Sequence, residues 1–162
     1  MRFNRFRFAA VAALSAAAVS VGLASPAAAD PAPVVGPAPI PVFQIPSTVL
    51  TTSGLLIPGL AFPAVNASTS AVPGDTTFSV PTSQEVCATT FGGSNVRISH
   101  LNLSNGASGS VVVKPCDFLD PAPLQATAHT GSGRVIITVS ILGTPYRPNP
   151  IALPGVGTFV AP

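Results

Sequence analysis

The chain has 162 residues, with seven Lys or Arg against five Asp or Glu, 47% apolar residues and no Trp. Charged residues make up only 7% of it, against roughly 25% in ordinary soluble domains. So few cations exclude the phosphate-neutralising cluster that a nucleic-acid partner requires.

The N-terminus reads as an export signal. Arg2, Arg5 and Arg7 form a positive block, Ala9 to Leu23 is weakly apolar throughout, and Ala27-Ala28-Ala29 precedes Asp30 as a small-residue cleavage site. An apolar run of about 15 residues rising ~1.5 Å each spans about 22 Å, short of a ~30 Å hydrocarbon core, so cleavage is expected rather than retention as an anchor. The domain boundaries that follow are 1–29 for the signal, 30–46 for a Pro-rich arm and 47–162 for the folded domain. Cleavage leaves 133 residues carrying Arg97, Lys114, Arg134 and Arg147 against Asp30, Asp75, Glu85, Asp117 and Asp120, four cations against five acids and a net charge of −1. That length suffices for one domain with its own core, and no transmembrane helix is expected in the mature chain.

From Asp30 to Pro46 six of seventeen residues are proline, which forbids helix and favours an extended spacer. Residues 48–65 are apolar but interrupted by Gly54, Pro58, Gly59 and Pro63, so short edge strands fit best. The tail from Ile151 has the same texture. Its Leu153-Pro154-Gly155-Val156-Gly157 is similar to a sortase sorting motif, with Val156 in place of the required Thr.

Between these segments the apolar residues alternate with period two. Strands are expected at 76–80, 85–91, 95–103, 108–114, 124–129 and 134–142, with turns at Gly92-Gly93, Asn105-Gly106, Asp120-Pro121 and Gly131-Ser132-Gly133. The last of these turns suggests a hairpin between 124–129 and 134–142, and 134–142, apolar on both faces, reads as a central buried strand. Val96 and Ile98 share a face but Leu101 and Leu103 are out of phase with them. A β-bulge near Ser99-His100 would restore the register and display His100 as a polar site. About seven short strands predict an all-β, antiparallel β-sandwich, loosely immunoglobulin-like and with one disulfide. An antibody-type domain is similar in strand count but has a core Trp and a wider cysteine spacing.

Cys87 and Cys116 are the only cysteines, and an even count in an exported chain implies a bridge. Closing about 29 residues is worth roughly 3.6 kcal/mol by chain entropy. Chemistry-bearing residues are sparse. His100 and His129 are the only histidines, and Ser104 follows His100 by four residues, but no Gly-x-Ser-x-Gly elbow surrounds any serine. Asp117 and Asp120 could offer carboxylates to Ca²⁺, but Asp120 before Pro121 is an ordinary turn starter and a full ligand array is missing. No metal, cofactor or catalytic residue is expected. Tyr146-Arg147 in a proline-stiffened loop is a candidate partner anchor, because Tyr and Arg dominate interface energetics. Asn66-Ala67-Ser68 and Asn102-Leu103-Ser104 match the glycosylation sequon, which matters only in a eukaryotic secretory host.

The resulting expectation is an exported, non-enzymatic binding or structural module of the bacterial cell envelope or extracellular space, with an envelope or extracellular partner. A membrane-associated protein, porin-like or oligomeric, is the first alternative. A secreted hydrolase built on His100 or His129 with a carboxylate is the second.

Overall fold

The structure is a computed structural model, and it describes residues 37–54, 57–117, 121–145, 147–148 and 150–162. The signal segment 1–29 and the start of the arm lie outside those residues. Among the described residues the fold is all-β with one short helix. The strands are β1 (Pro39–Ile40), β2 (Phe43–Ile45), β3 (Thr48–Thr52), β4 (Pro58–Ala61), β5 (Asn66–Thr69) and β6 (Asp75–Ser79), then β7 (Asn95–Asn102), β8 (Ser108–Val113), β9 (Gln125–His129), β10 (Gly133–Leu142), β11 (Ala152–Leu153) and β12 (Gly155–Ala161). They form three antiparallel sheets, ordered β1-β5-β6-β9, β2-β12-β10-β7-β8 and β11-β3-β4. Twelve strands replace the expected seven because the Pro- and Gly-broken ends of the domain also pair, in strands of two to seven residues.

One apolar cluster receives side chains from all three sheets: Ala67 and Phe78 from the four-stranded sheet, Val96, Ile98, Val135, Ile137, Val139 and Phe159 from the five-stranded sheet, and Val49 and Ala61 from the third. Phe78 meets Phe159 edge to face at 5.9 Å, the arrangement that aromatic quadrupoles prefer. Each fully buried Val, Ile or Phe contributes about 1.5–3 kcal/mol of transfer free energy.

The arm is partly sheet. Ile40 in β1 reaches the core, and the Gln44 side chain in β2 both donates to the Val65 carbonyl at 2.9 Å and accepts from the Val65 N–H at 2.8 Å. Residues 39–40 and 43–45 are thus paired before position 47, where the sequence places the domain boundary. Extension and strand pairing are compatible wherever the prolines face a free edge.

β2 runs into β3 and β11 into β12, and both reverse their inward face at the same level. Phe43 and Ile45 point out while Ser47, Val49 and Thr51 are buried, and Leu153 points out while Gly155 is buried. Pro46 and Pro154 remove ladder donors there. Gly155 is required by close approach, since a Cβ would meet the Ile45 carbonyl oxygen at 2.9 Å.

Three expectations are corrected. Residues 85–91 are not a strand: Gln84–Cys87 is α1 and Thr90–Gly93 a 3₁₀ turn. Local bonds win here, with Cys87 N–H donating to Ser83 O and the Thr89 hydroxyl donating to Val86 O while accepting from Phe91 N–H; only Phe91 and Gly92 of the segment are buried. Second, β9 and β10 are no hairpin. β9 pairs with β6, β10 with β7 and β12, so the turn with Gly131 and Gly133 at positive φ carries the chain from one sheet to another.

Third, β7 has no bulge. It pairs residue for residue with β10 from Asn95 to Asn102 and with β8 from Val96 to Leu101. The pleat therefore stays in phase and turns His100 and Asn102 inward with Val96 and Ile98, leaving Leu101 and Leu103 exposed. What decides this is compensation across the strands. Asn102 Nδ2 donates to the Thr130 and Ser132 carbonyls at 2.8 and 2.9 Å, and its Oδ1 accepts from Ser104 N–H at 2.8 Å.

Candidate contact surface

The disulfide is formed as the cysteine count predicts. Cys87 at the end of α1 and Cys116 beyond β8 are bridged at a Cα separation of 5.7 Å, joining the helical segment to the five-stranded sheet's last strand.

His100 is buried rather than displayed. Its ring stacks on Phe78 with centroids 6.4 Å apart, and neither ring nitrogen has a hydrogen-bond partner. Its strand neighbour is Gly109, where a Cβ would meet His100 Cε1 at 2.9 Å; the glycine is what makes room for the imidazole. Burial pushes the His100 pKa below its ordinary 6.5, because a low-dielectric site disfavours the cation.

The other candidates are dispersed. His129 Nδ1 lies 2.8 Å from Asp75 Oδ1 on the outward face where β9 and β6 pair. The Ser104 hydroxyl accepts from Arg134 N–H at 3.1 Å, a turn-fixing role. Asp117 pairs with Lys114 at 2.9 Å, while Asp120 falls outside the described residues. Glu85 sits on exposed α1, its carboxyl held below the usual range first by a backbone hydrogen bond and then by the Ser83 hydroxyl. Among the described residues no three His, Cys, Asp or Glu gather as a metal site, and no helix is long and apolar enough to cross a membrane.

Tyr146 is outside the described residues, but its neighbour Arg147 is half-buried. Nη2 donates to the Leu50 carbonyl at 2.6 Å, the backbone exchanges two bonds with Thr144, and burial lowers the guanidinium pKa. Arg147 thus clasps its loop to β3. The sortase-like residues 153–157 run across β11 and β12 inside the sheets, and Asn102 of the second sequon is wholly buried.

The three-stranded sheet exposes Leu50, Leu60 and Leu153, and the two larger sheets present outer surfaces of opposite chemistry. The four-stranded sheet turns Asn66, Ser68, Thr77, Ser79, Gln125 and Thr127 outward, and with Pro39 and Pro41 most of these line an open groove of about 720 Å³. Such a polar face is what a half-buried antiparallel sheet ordinarily shows water.

The five-stranded sheet does the reverse. Register places Phe43, Thr158, Ile136 and Leu101 in one row across β2, β12, β10 and β7, and Ile45, Val156, Thr138 and Ser99 in the next. Phe43 is 76% exposed, Ile45 71%, Val160 65% and Val156 48%. Phe43, Ile45, Ile136 and Val156 line a shallow trough of about 560 Å³, and the Thr158 hydroxyl between them is already committed to the Val135 carbonyl at 2.9 Å. The signal that could have found this face is the double-sided apolarity of 134–142. It reads as burial on both sides, and the inner residues Val135, Ile137 and Val139 are covered while Ile136 is not.

Comparison of the chain with protein-family models, with curated proteins and with solved structures gives no match.

Proposed function

We propose that this protein is an exported, non-enzymatic β-sandwich of the cell envelope or its surroundings that works as a binding or structural module through the outer face of its five-stranded sheet. The observation carrying this reading is the set of large apolar side chains in register on that face. Exposed apolar patches beyond a few hundred Å² on a soluble chain mark interaction surfaces. A sandwich arrangement of the four- and five-stranded sheets is supported by their common core and by the Phe78 contacts to Phe159 and His100. Export is supported by the N-terminal sequence pattern and the Cys87–Cys116 bridge, since such bridges persist in oxidising compartments.

The test is mass spectrometry of the native protein recovered from culture fluid and from envelope fractions. An N-terminus at or near Asp30 with an intact 87–116 bridge is expected. A full-length chain with two free thiols in the cytoplasmic fraction would overturn export.

A further inference from the structure

We infer that the apolar outer face of the five-stranded sheet docks a second copy of this chain, face to face about a two-fold axis. The inference rests on the interaction-surface reading above and names its partner. Four observations select this occupant.

The area is right. Phe43, Ile45, Leu101, Ile136, Val156 and Val160 are between 40% and 76% exposed, offering on the order of 600 Å² of apolar surface where a standard interface buries ~800 Å² per partner. Polar residues in the same rows, among them Thr138 and Ser99, supply a rim.

The charge pattern suits self-contact. Across the two central rows of the patch no residue is charged; Arg134 stands at one margin beside Val160, and Arg97 at the other beside Ser140. A two-fold contact presents one patch to itself, so a neutral centre meets no like charge and both guanidinium groups remain at its edges in water.

The shape is generic to sheets. Pleated faces bearing aliphatic side chains stack at about 10 Å with strands nearly aligned. Ile136, the exposed apolar residue on the outer face of β10, would then be covered.

The competing occupants fit less well. A bilayer surface selects clustered cations and belts of Trp and Tyr, whereas the chain has no Trp, one Tyr at position 146 and four cations after residue 29. The chain's own remaining N-terminus is too small, because residues 30–36 carry only Val34 and Val35 as large apolar side chains.

The test uses the signal-free chain 30–162 with its bridge intact, in detergent-free buffer. Sedimentation equilibrium and light scattering from 1 to 200 µM are expected to give a monomer–dimer equilibrium that strengthens or holds as NaCl rises from 50 to 500 mM. The double variant Phe43→Ser/Ile45→Ser alters only the three-residue edge strand β2 and should weaken dimerisation at least tenfold while circular dichroism and the bridge stay unchanged. Ile136→Asn, at the centre of the face, gives the same readout from an independent strand. A monomer at all concentrations, or dimers unaffected by both folded variants, overturns the inference. Flotation of monomeric wild type with phosphatidylcholine vesicles also overturns it, in favour of a lipid partner, while leaving the face a contact surface. Failure of export would show only in the native N-terminus and thiols.

Discussion

Exchanging the roles of two neighbouring residues on β7 tests how the sheet chooses its faces. Asn102 is fully buried and holds three hydrogen bonds, to the Thr130 and Ser132 carbonyls and from the Ser104 N–H. Asn102→Ala removes all three, each worth about 0.5–1.5 kcal/mol net. Ser104 and Ser132 are exposed and water can rehydrate their backbone groups, but Thr130 is wholly buried, so its carbonyl bears a desolvation penalty of about 1–3 kcal/mol. The loss sums to about 4 kcal/mol, against a typical total stability of about 5–15 kcal/mol. Leu101→Ser, one position away but 45% exposed, should cost less than about 1 kcal/mol in the monomer. Urea unfolding of both variants at low micromolar concentration, where association does not contribute, gives the two numbers directly. Had the strand bulged at Ser99-His100, Leu101 would be a core residue and Asn102 a surface one, and the order would invert. A Leu101→Ser loss above that of Asn102→Ala would therefore refute the in-phase register.

Reducing the Cys87–Cys116 bridge, or the variant Cys87→Ala/Cys116→Ala, should lower stability by up to roughly 3.6 kcal/mol for a loop of 29 residues, seen as a lower urea midpoint. An unchanged midpoint would mean the unfolded chain is already constrained in that loop. His100 gives a pH dependence. Its folded pKa is depressed below 6.5 by burial, so the unfolded chain binds the extra proton first, and stability falls as pH drops through about 6.5 toward the folded value. The melting temperature should decline between pH 7.5 and 5 more steeply in wild type than in His100→Leu, and parallel curves would show that the ring does not titrate on unfolding.

Much of the fold is legible in the sequence because it depends on local chemistry. Period-two alternation locates β6, β7, β8, β9 and β10 to within a residue or two, Asn105-Gly106 marks the β7–β8 turn, where Gly106 has positive φ, and the cysteine count gives the bridge. Alternation fails as a guide at β7, where the apolar residues change phase and the pleat does not. An amide that meets two carbonyls and an N–H is as welcome inside as a leucine, but the two carbonyls come from a turn 28 and 30 residues away in sequence. Likewise His100 is buried because Gly109 on the next strand leaves space for it. Partner choice between strands is equally non-local: Gly131 to Gly133 reads as a hairpin turn, and only the core shared with β6 draws β9 into the other sheet. By itself, then, the sequence determines that this is a charge-poor, antiparallel, cysteine-bridged β protein. Tertiary structure decides which apolar side chains are left outside, because exposure is set by how many sheets there are to cover a strand. On β10 the inner Val135, Ile137 and Val139 are covered, whereas Ile136 on the outer face, among Arg134, Thr138 and Ser140, is left 40% exposed.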